Sequence, residues 1–381
     1  MDCLPDELVL SVLGFLRFKC AYSTGRTCKR FYSLLSRAAS ELADGWQNVP
    51  PLLPAESPLK QLAFLYARRG YQKSSYAEAS VILKLQHFPQ PPDAIQASVS
   101  EPDADWWIDS FGYALVLDRI GRVWSMGDND YGGLGRAGEK RLEYVPGLPS
   151  PVASVTACCQ SSVAVLNNGE LWAWGRNLQF KLGMEDMPIV PFPKRLTVPE
   201  PVAQVAIGAA HMLLTTRTGR AYGAGSNASS QLGLNDAGPY RGFTLLIPWR
   251  NERVLKVAAG GLYSMLLLST GQVLGCGYTF SGELGCPDQQ INTVWNSFTP
   301  VFGRLGSIMD IEARHMSTAL ITRLGQLYVC GYNRVGWKHV YAPTLVNEQE
   351  PVASCTLTNT LGVVFTTVSG RTLRYCGGIK K

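Results

Sequence analysis

The sequence predicts a small all-α N-terminal domain followed by an all-β propeller with six recognisable repeats, closing as six or seven blades. Three observations carry this prediction. A thirteen-residue phrase recurs along 107–381 at intervals near fifty residues, the signature of stacked or ring-closed β units. Glycine (38 residues) and proline (23) are frequent enough to break the chain into many short strands. Before the repeats, residues 4–42 space their apolar residues for helices rather than strands.

The phrase is clearest in four copies: "VWSMGDNDYGGLG" (123–135), "LWAWGRNLQFKLG" (171–183), "AYGAGSNASSQLG" (221–233) and "VLGCGYTFSGELG" (273–285). Glycine holds the fifth and thirteenth places: Gly127 and Gly135, Gly175 and Gly183, Gly225 and Gly233, Gly277 and Gly285. Six residues before the first of each pair stands another: Gly121, Gly169, Gly219 and Gly271. A fifth copy (323–337) keeps Gly325 and Gly331 but loses the closing Leu-Gly, and a sixth (368–378) keeps Gly370 with Gly377 one place late. Successive upstream glycines lie 48, 50, 52, 54 and 45 residues apart.

Within a unit, "SSVAVLNNGELWAWG" reads as strand, tight turn, strand. Asn168-Gly169 is a strong hairpin signal, because the favoured two-residue turn needs positive φ at both central positions. "RIG", "TRTG" and "STG" take the same place in neighbouring copies. Upstream lies one more apolar run per unit, "VASV", "VAQVAIG", "VLKVAAG" or "IMDIEA", giving three or four strands in about fifty residues. One such sheet cannot bury both of its faces; neighbours arranged around an axis can. The phrase resembles the regulator-of-chromosome-condensation repeat, in which G-x-V-(Y/W)-x-x-G-x-N-x-x-G-x-L-G recurs once per blade. That family closes as seven blades, so the strand-like "ASVILKLQHF" (79–88) is expected to supply a degenerate blade or closing strands.

The N-terminal grammar differs. "LPDELVLSVLGFL" (4–16) places Pro5, Asp6 and Glu7 where a helix tolerates proline and favours acids. Leu8, Val12 and Phe15 share one face; Val9, Leu13 and Leu16 share the next. So much apolar girth needs a covering surface from the propeller or from another protein. A second amphipathic stretch, 27–42, aligns Phe31, Leu34 and Leu35. Together these resemble an F-box: Leu4, Pro5, Glu7, Leu8, Val12, Leu13 and Leu16 match its first part, and Cys28, Lys29, Arg30, Phe31, Leu34 and Leu35 its second, with Trp46 as the terminal aromatic. Ala21, Tyr22 and Thr24 depart from the leucines usual in its middle. The resemblance implies that Leu4, Pro5, Leu8, Val12, Leu13, Leu16, Cys28, Phe31, Leu34 and Leu35 bind a Skp adaptor, and through it a cullin scaffold, while propeller loops bind a protein substrate. The expected division is an F-box domain over 1–48, a linker over 49–78 and a propeller over 79–381. The linker opens Pro-rich and continues as the amphipathic "LKQLAFLYARRGY" (59–71), which is expected to brace hook against propeller.

Composition excludes other classes. Net charge is +6 with 17% charged residues and no dense Lys/Arg block, so nucleic acid is not indicated as a partner. No run of eighteen apolar residues occurs, and the acidic start lacks a cationic leader region, so no membrane partner is expected. The ten cysteines show no disulfide framework and no C-x-x-C pair, and Cys276, Cys330 and Cys376 sit in apolar runs. An intracellular, cytoplasmic or nuclear location follows as the expectation. No HExxH, G-x-S-x-G or metal-ligand spacing is present, and "GGLG" (132–135) lacks the Lys-Ser/Thr of a phosphate loop. No catalytic residue, metal or cofactor is therefore expected. His211, at the offset held by Tyr113, Ser161 and Tyr263 in other copies, is expected to satisfy a turn by hydrogen bonding. Trp172, Trp174 and the Trp106-Trp107 pair are expected to pack blades. The chain reads as a substrate-receptor subunit of a Skp–cullin–F-box ubiquitin ligase; the alternative is a regulatory propeller acting directly on a small GTPase or chromatin.

Overall fold

A computed structural model of the chain describes residues 94–100 and 112–375, apart from short segments at 139–140, 150, 186, 248–250, 286–291, 334–337, 347–349, 359–361 and 370. The expected helical domain, its linker, the 79–88 stretch, Trp106-Trp107, Gly377 and Cys376 lie outside the described residues.

Each recognisable repeat builds one antiparallel sheet, six in all among the described residues. Sheet one contains β1 (Ala94–Ser100), β2 (Tyr113–Asp118), β3 (Val123–Gly127) and β4 (Glu143–Tyr144). Sheet two contains β5 (Val152–Cys158), β6 (Ser161–Leu166), β7 (Leu171–Arg176) and β8 (Ile189–Arg195). Sheet three follows with β9 (Val202–Ile207), β10 (His211–Thr216), β11 (Ala221–Gly225) and β12 (Tyr240–Leu245). Sheet four has β13 (Val254–Ala259), β14 (Tyr263–Leu268), β15 (Val273–Thr279) and β16 (Thr293–Val301). Sheet five has β17 (Ile308–Arg314), β18 (Ser317–Thr322), β19 (Leu327–Asn333) and β20 (Lys338–Leu345). Sheet six is three-stranded: β21 (Val352–Thr358), β22 (Gly362–Thr367) and β23 (Thr372–Tyr375). In all six, strands pair in chain order, so each sheet is a meander.

First strands contact first strands from sheet to sheet (β1 with β5, then β9, β13, β17 and β21), which puts them innermost around a common axis. Second strands β2, β6, β10 and β14 are buried at every position, and for β6, β10 and β14 neighbouring sheets cover both faces. Their apolar runs, such as "YALVLD" and "YSMLLL", reflect that two-sided burial. The core accordingly lies between sheets: one cluster joins sheets one to three, and others join three to four, four to five and five to six. Fourth strands lie outermost and more exposed, and Pro191 and Pro193 in β8 sit on such an edge, where the missing N–H costs nothing.

The turn glycines differ from the sequence expectation in an informative way. At 166–170 the Gly169 N–H donates to the Leu166 carbonyl (2.9 Å) and the Leu166 N–H to the Glu170 carbonyl (2.9 Å). Gly169 has φ +89°, whereas Asn168 is not left-handed. The turn is therefore a type I turn closed by one left-handed residue, a three-residue hairpin connection. The same pair of bonds recurs around Gly121, Gly219, Gly271 and Gly325. Each of these glycines also reaches the next sheet. The Gly169 carbonyl accepts the Val202 N–H at 2.9 Å, and Gly121, Gly219, Gly271 and Gly325 accept from Val152, Val254, Ile308 and Val352 at 2.8–3.0 Å. A Cβ on Gly169 would stand 2.6 Å from the Cβ of Pro201, and on Gly325 2.4 Å from that of Pro351. Next to each contact the incoming first strand carries a β-bulge, skipping Ala153, Ala203, Leu255, Met309 and Ala353 in sheets two to six.

Gly169→Ala combines a left-handed alanine with a backbone collision and is expected to cost about 2 kcal/mol or more. Gly242→Ala, where a Cβ meets nothing within 4 Å, is expected to stay within ~0.5 kcal/mol. Equilibrium denaturation of the two variants checks the contrast.

Candidate interaction surfaces and the belt beneath them

The meander gives the propeller two unlike faces. One, the turn face, carries the second-to-third-strand turns with their glycines. The other, the loop face, carries the first-to-second-strand turns and the long third-to-fourth-strand loops that hold the rest of the repeated phrase.

Asparagine builds those loops. Asn129, Asn177 and Asn227 stand two residues after Gly127, Gly175 and Gly225, just past their third strands. Their side-chain carbonyls accept the backbone N–H of Leu134 (3.0 Å), Leu182 (2.9 Å) and Leu232 (2.8 Å). Their amide groups donate to the carbonyls of Arg136, Met184 and Asp236. Both polar ends are thus spent on one loop, which inserts its leucine into the core. Asn227-Ala228-Ser229 has the spacing of an N-glycosylation acceptor, and Asn227 is buried, so it is closed to modification in this fold. Gly127, Gly175, Gly225, Gly277 and Gly331 have φ near +100°, and a Cβ on each would lie 2.1–2.5 Å from a backbone oxygen of the facing strand start. Gly135, Gly183, Gly233 and Gly285 have φ near +65° and lie against Trp174, Phe243, Phe298 and Phe302.

A belt of buried hydrogen bonds links these loops to the following sheet. The Gly133 carbonyl accepts from Ser162 Oγ (2.7 Å) and Trp174 Nε1 (2.8 Å) of sheet two. The Gln231 carbonyl takes Ser264 Oγ (2.5 Å) and Cys276 Sγ (3.4 Å) of sheet four, and the Glu283 carbonyl takes Thr318 Oγ1 (2.6 Å) and Cys330 Sγ (3.4 Å) of sheet five. The same hydroxyls meet a ring from the preceding sheet: Tyr113 Oη with Ser162 at 2.7 Å, His211 Nε2 with Ser264 at 2.9 Å, Tyr263 Oη with Thr318 at 2.8 Å. His211 therefore bridges sheets three and four rather than satisfying a turn. Between sheets two and three the belt changes, because Met212 and Ala224 carry no donors at the matching places. There the buried Lys181 ammonium donates to the carbonyls of Cys159 (2.9 Å) and Ala209 (3.1 Å). Ser161, at the His211 offset, turns inward to the Arg176 carbonyl.

Above the belt, loop-face side chains vary. Arg176 stacks over Tyr131 (4.8 Å) and Arg241 over Phe180 (4.7 Å). Phe180 and Ser230 occupy left-handed backbone (φ 62° and 57°) where sheets one and four have Gly132 and Gly282. His339 stacks on Tyr341 (5.6 Å, 4° between planes), meets Phe280 edge-on at 5.7 Å and bonds Ser281 Oγ through Nδ1 at 3.0 Å. Both histidine–serine pairs have serine oxygens closed to solvent, since Ser264 and Ser281 are fully buried, so neither presents a nucleophile. Among the described residues no group of three His, Cys, Asp or Glu is placed to hold a metal. Cys158, Cys159, Cys276, Cys330 and Cys355 are thiols not joined by disulfides, and burial pushes the Cys276 and Cys355 thiols up. Among the described residues no helix is long and apolar enough to cross a membrane. The hydroxyls Ser162, Ser264 and Thr318 and the lysine Lys181 escape sequence reasoning; a hydroxyl recurring at the second place of second strands is the signal for the first three, and Lys181 has no such signal.

A family model of the F-box domain matches residues 1–39, and one of the regulator of chromosome condensation (RCC1) repeat matches residues 168–214. The chain is 30% identical over 246 residues to the human "Probable E3 ubiquitin-protein ligase HERC6", covering 61% of this chain and 24% of that protein. It is 30% identical over 131 residues to human "Protein RCC2", covering 34% and 25%. The chain thus spans about a quarter of the length of either relative. Among solved structures, yeast RCC1 (Prp20), crystallised with Kap60, superposes with a TM-score of 0.60 at 21% identity, covering 73% of this chain and 69% of that one. Human WBSCR16 gives 0.58 at 23% identity, covering 65% and 68%. These likenesses establish the fold as an RCC1-type propeller.

The belt makes a pH prediction. Burial first, and the Lys181 charge second, push the His211 imidazole down to about 3. In the unfolded chain it titrates near ~6.5, so below that pH the unfolded state binds a proton that the folded state refuses. Its contribution to stability is whole above about 6.5 and falls with pH toward 3, by up to ~1.4 kcal/mol per unit. His211→Tyr, the residue used at this place in sheets one and four, is expected to keep the Ser264 bond and to lose that slope. Denaturation of both proteins at about pH 7.5, 6 and 5 measures the difference.

Proposed function

We propose that this chain, which joins an F-box domain to a propeller of RCC1 repeats, is the substrate-recognition adaptor of a Skp–cullin–F-box ubiquitin ligase. The observation that carries the reading is the F-box match at residues 1–39, over a segment whose apolar residues cover most of a helix's girth and call for a protein surface. In this reading 1–48 is the hook, 49–78 the linker and 79–381 the receptor. Leu4, Pro5, Leu8, Val12, Leu13, Leu16, Cys28, Phe31, Leu34 and Leu35 engage the Skp adaptor, and a cullin scaffold is reached through it. The propeller performs no bond chemistry; it holds a protein substrate near the transfer machinery, raising the effective concentration of the substrate's lysines. The loop face suits recognition, because its scaffold repeats while its side chains do not.

A second reading is a regulatory propeller acting directly on a small GTPase or chromatin. It draws on yeast Prp20p, a structural neighbour whose binding properties to Gsp1p and histones are described with its structure. A net charge of only +6 without a basic tract supports the first reading over this one.

Co-purification of the full chain with a purified Skp adaptor tests the proposal. Leu4→Ala/Pro5→Ala is expected to weaken adaptor binding by roughly thirtyfold or more, as for truncated interface anchors, with propeller melting unchanged. A wild-type chain that ignores the adaptor while folded, yet accelerates nucleotide release from a small GTPase, would favour the second reading.

A further inference from the structure

The turn face is not equivalent around the ring. In sheets two, three and four the residues preceding the turn glycine are polar: Asn167-Asn168, Arg217-Thr218 and Ser269-Thr270. In sheets one, five and six an apolar residue occupies the tip instead. Ile120 is 62% exposed, Leu324 78% and Val368 70%. Tips of such turns ordinarily carry polar residues because water surrounds them. The bulge residues of the first strands add apolar side chains to two sheets. They are Ala153, Ala203 and Ala353 in sheets two, three and six, but Leu255 (57% exposed) and Met309 (47%) in sheets four and five. The repeat itself demands none of this, since its other copies fold with alanine and polar tips. The apolar side chains gather on one face, on the contiguous sheets four to six and on sheet one.

The chain enters the propeller on this same face. β1 begins at Ala94, which pairs with Asp118 at the base of the Ile120 turn. Ninety-three residues precede it; 79–88 is expected to join the propeller, and in the segment before that, 59–71, Leu59, Leu62 and Tyr66 are spaced for one helical side. The seven linker residues between that segment and Ala79 reach up to ~23 Å when extended, more than the ~14 Å spanned by four paired strands.

We propose that the apolar half of the turn face, built from Leu255, Met309, Leu324, Val368 and Ile120, is the seat of this chain's own 59–71 segment. The segment seals the exposed side chains and fixes where residues 1–48 stand relative to the propeller. On the adaptor reading, this docking holds the F-box behind the ring and leaves the loop face open to substrate, so the distance from bound substrate to transfer machinery is set by the fold and not by a loose tether.

The test uses the full chain with a benzophenone amino acid in place of Leu324, Val368 or, as a control, Asn168. After irradiation, digestion and mass spectrometry, positions 324 and 368 are expected to crosslink to peptides from 59–71 within the same chain, and position 168 is not. Crosslinks to a second copy, to the adaptor or to no part of 59–71 overturn the proposal, as does equal crosslinking from 168. A second measurement guards against a disturbed fold. In L324D/V368D, amide exchange over 59–71 is expected to rise roughly tenfold or more while the β6 and β14 amides stay protected; unchanged exchange over 59–71 overturns it. Adaptor co-purification from the same samples separates the two claims. Adaptor binding without the crosslink refutes this docking alone, and the crosslink without adaptor binding refutes the ligase reading alone.

Discussion

The bond from the first N–H of each of sheets two to six to the turn-glycine carbonyl of the sheet before it is the constraint on which the rest depends. A four-stranded meander has two open faces and two edges, and alone it cannot bury its apolar faces. Joining sheets at one fixed point, with the residue before the bonded N–H (Pro151, Pro201, Arg253, Ser307 or Pro351) packed where a Cβ would be, sets the spacing at which the next sheet must stand. Only at that spacing do the second strands become buried on both sides, and only then do loop carbonyls such as Gly133, Gln231 and Glu283 fall within reach of hydroxyls on the following sheet. The bulge beside each joint follows from the same demand, because an N–H diverted to the neighbouring sheet leaves the local ladder one residue out of step.

The belt is the second consequence, and it is tuned from joint to joint. Tyrosine, histidine and a lysine ammonium solve one geometric problem with different chemistry. A buried tyrosine remains neutral across the working pH range. His211 does so only because burial and the nearby Lys181 charge hold its imidazole unprotonated. First strands add ties of their own: Gln204 Oε1 accepts the Val257 N–H at 3.0 Å, and Lys256 pairs with Asp310 at 2.6 Å across sheets four and five. Burial works against the Lys256 charge, but Glu312 and Asp310 raise its pKa above that of an ordinary lysine.

Much of this fold was legible in the sequence because a repeat multiplies weak signals. "VASV", "VAVL" and "ELWAW" are each too short to assign alone, yet they fall in β5, β6 and β7, and their counterparts fall in the matching strands of other sheets. Fourth strands such as β8 and β20 were not individually legible: they are exposed edges, interrupted by Pro191, Pro193 and Pro343, and lack a continuous apolar pattern. The turn conformation at Asn168-Gly169 was misread because the dipeptide suits two hairpin types, and only the joint to Val202 selects between them. Trp174 was expected to pack blades and is buried against Gly133. Ser162, Ser264, Thr318 and Lys181 were invisible, since a hydroxyl in a strand and a lysine in a loop normally face water. What makes them interior is the neighbouring sheet, which no local pattern encodes.

A ring whose joints are backbone and buried side chains leaves its surface loops free to vary, and the F-box match at residues 1–39 is the ground for the proposal that the ring is carried to a ubiquitin-transfer machinery. The most direct test of that claim is reconstitution of the full chain with purified Skp adaptor, cullin scaffold and ubiquitin-charged enzyme, reading ubiquitin conjugated to the chain's own lysines by mass spectrometry. The account predicts conjugates that require adaptor and cullin together and that include propeller lysines brought near the transfer centre. A folded chain that forms no complex and acquires no ubiquitin under conditions where another F-box receptor does would contradict it.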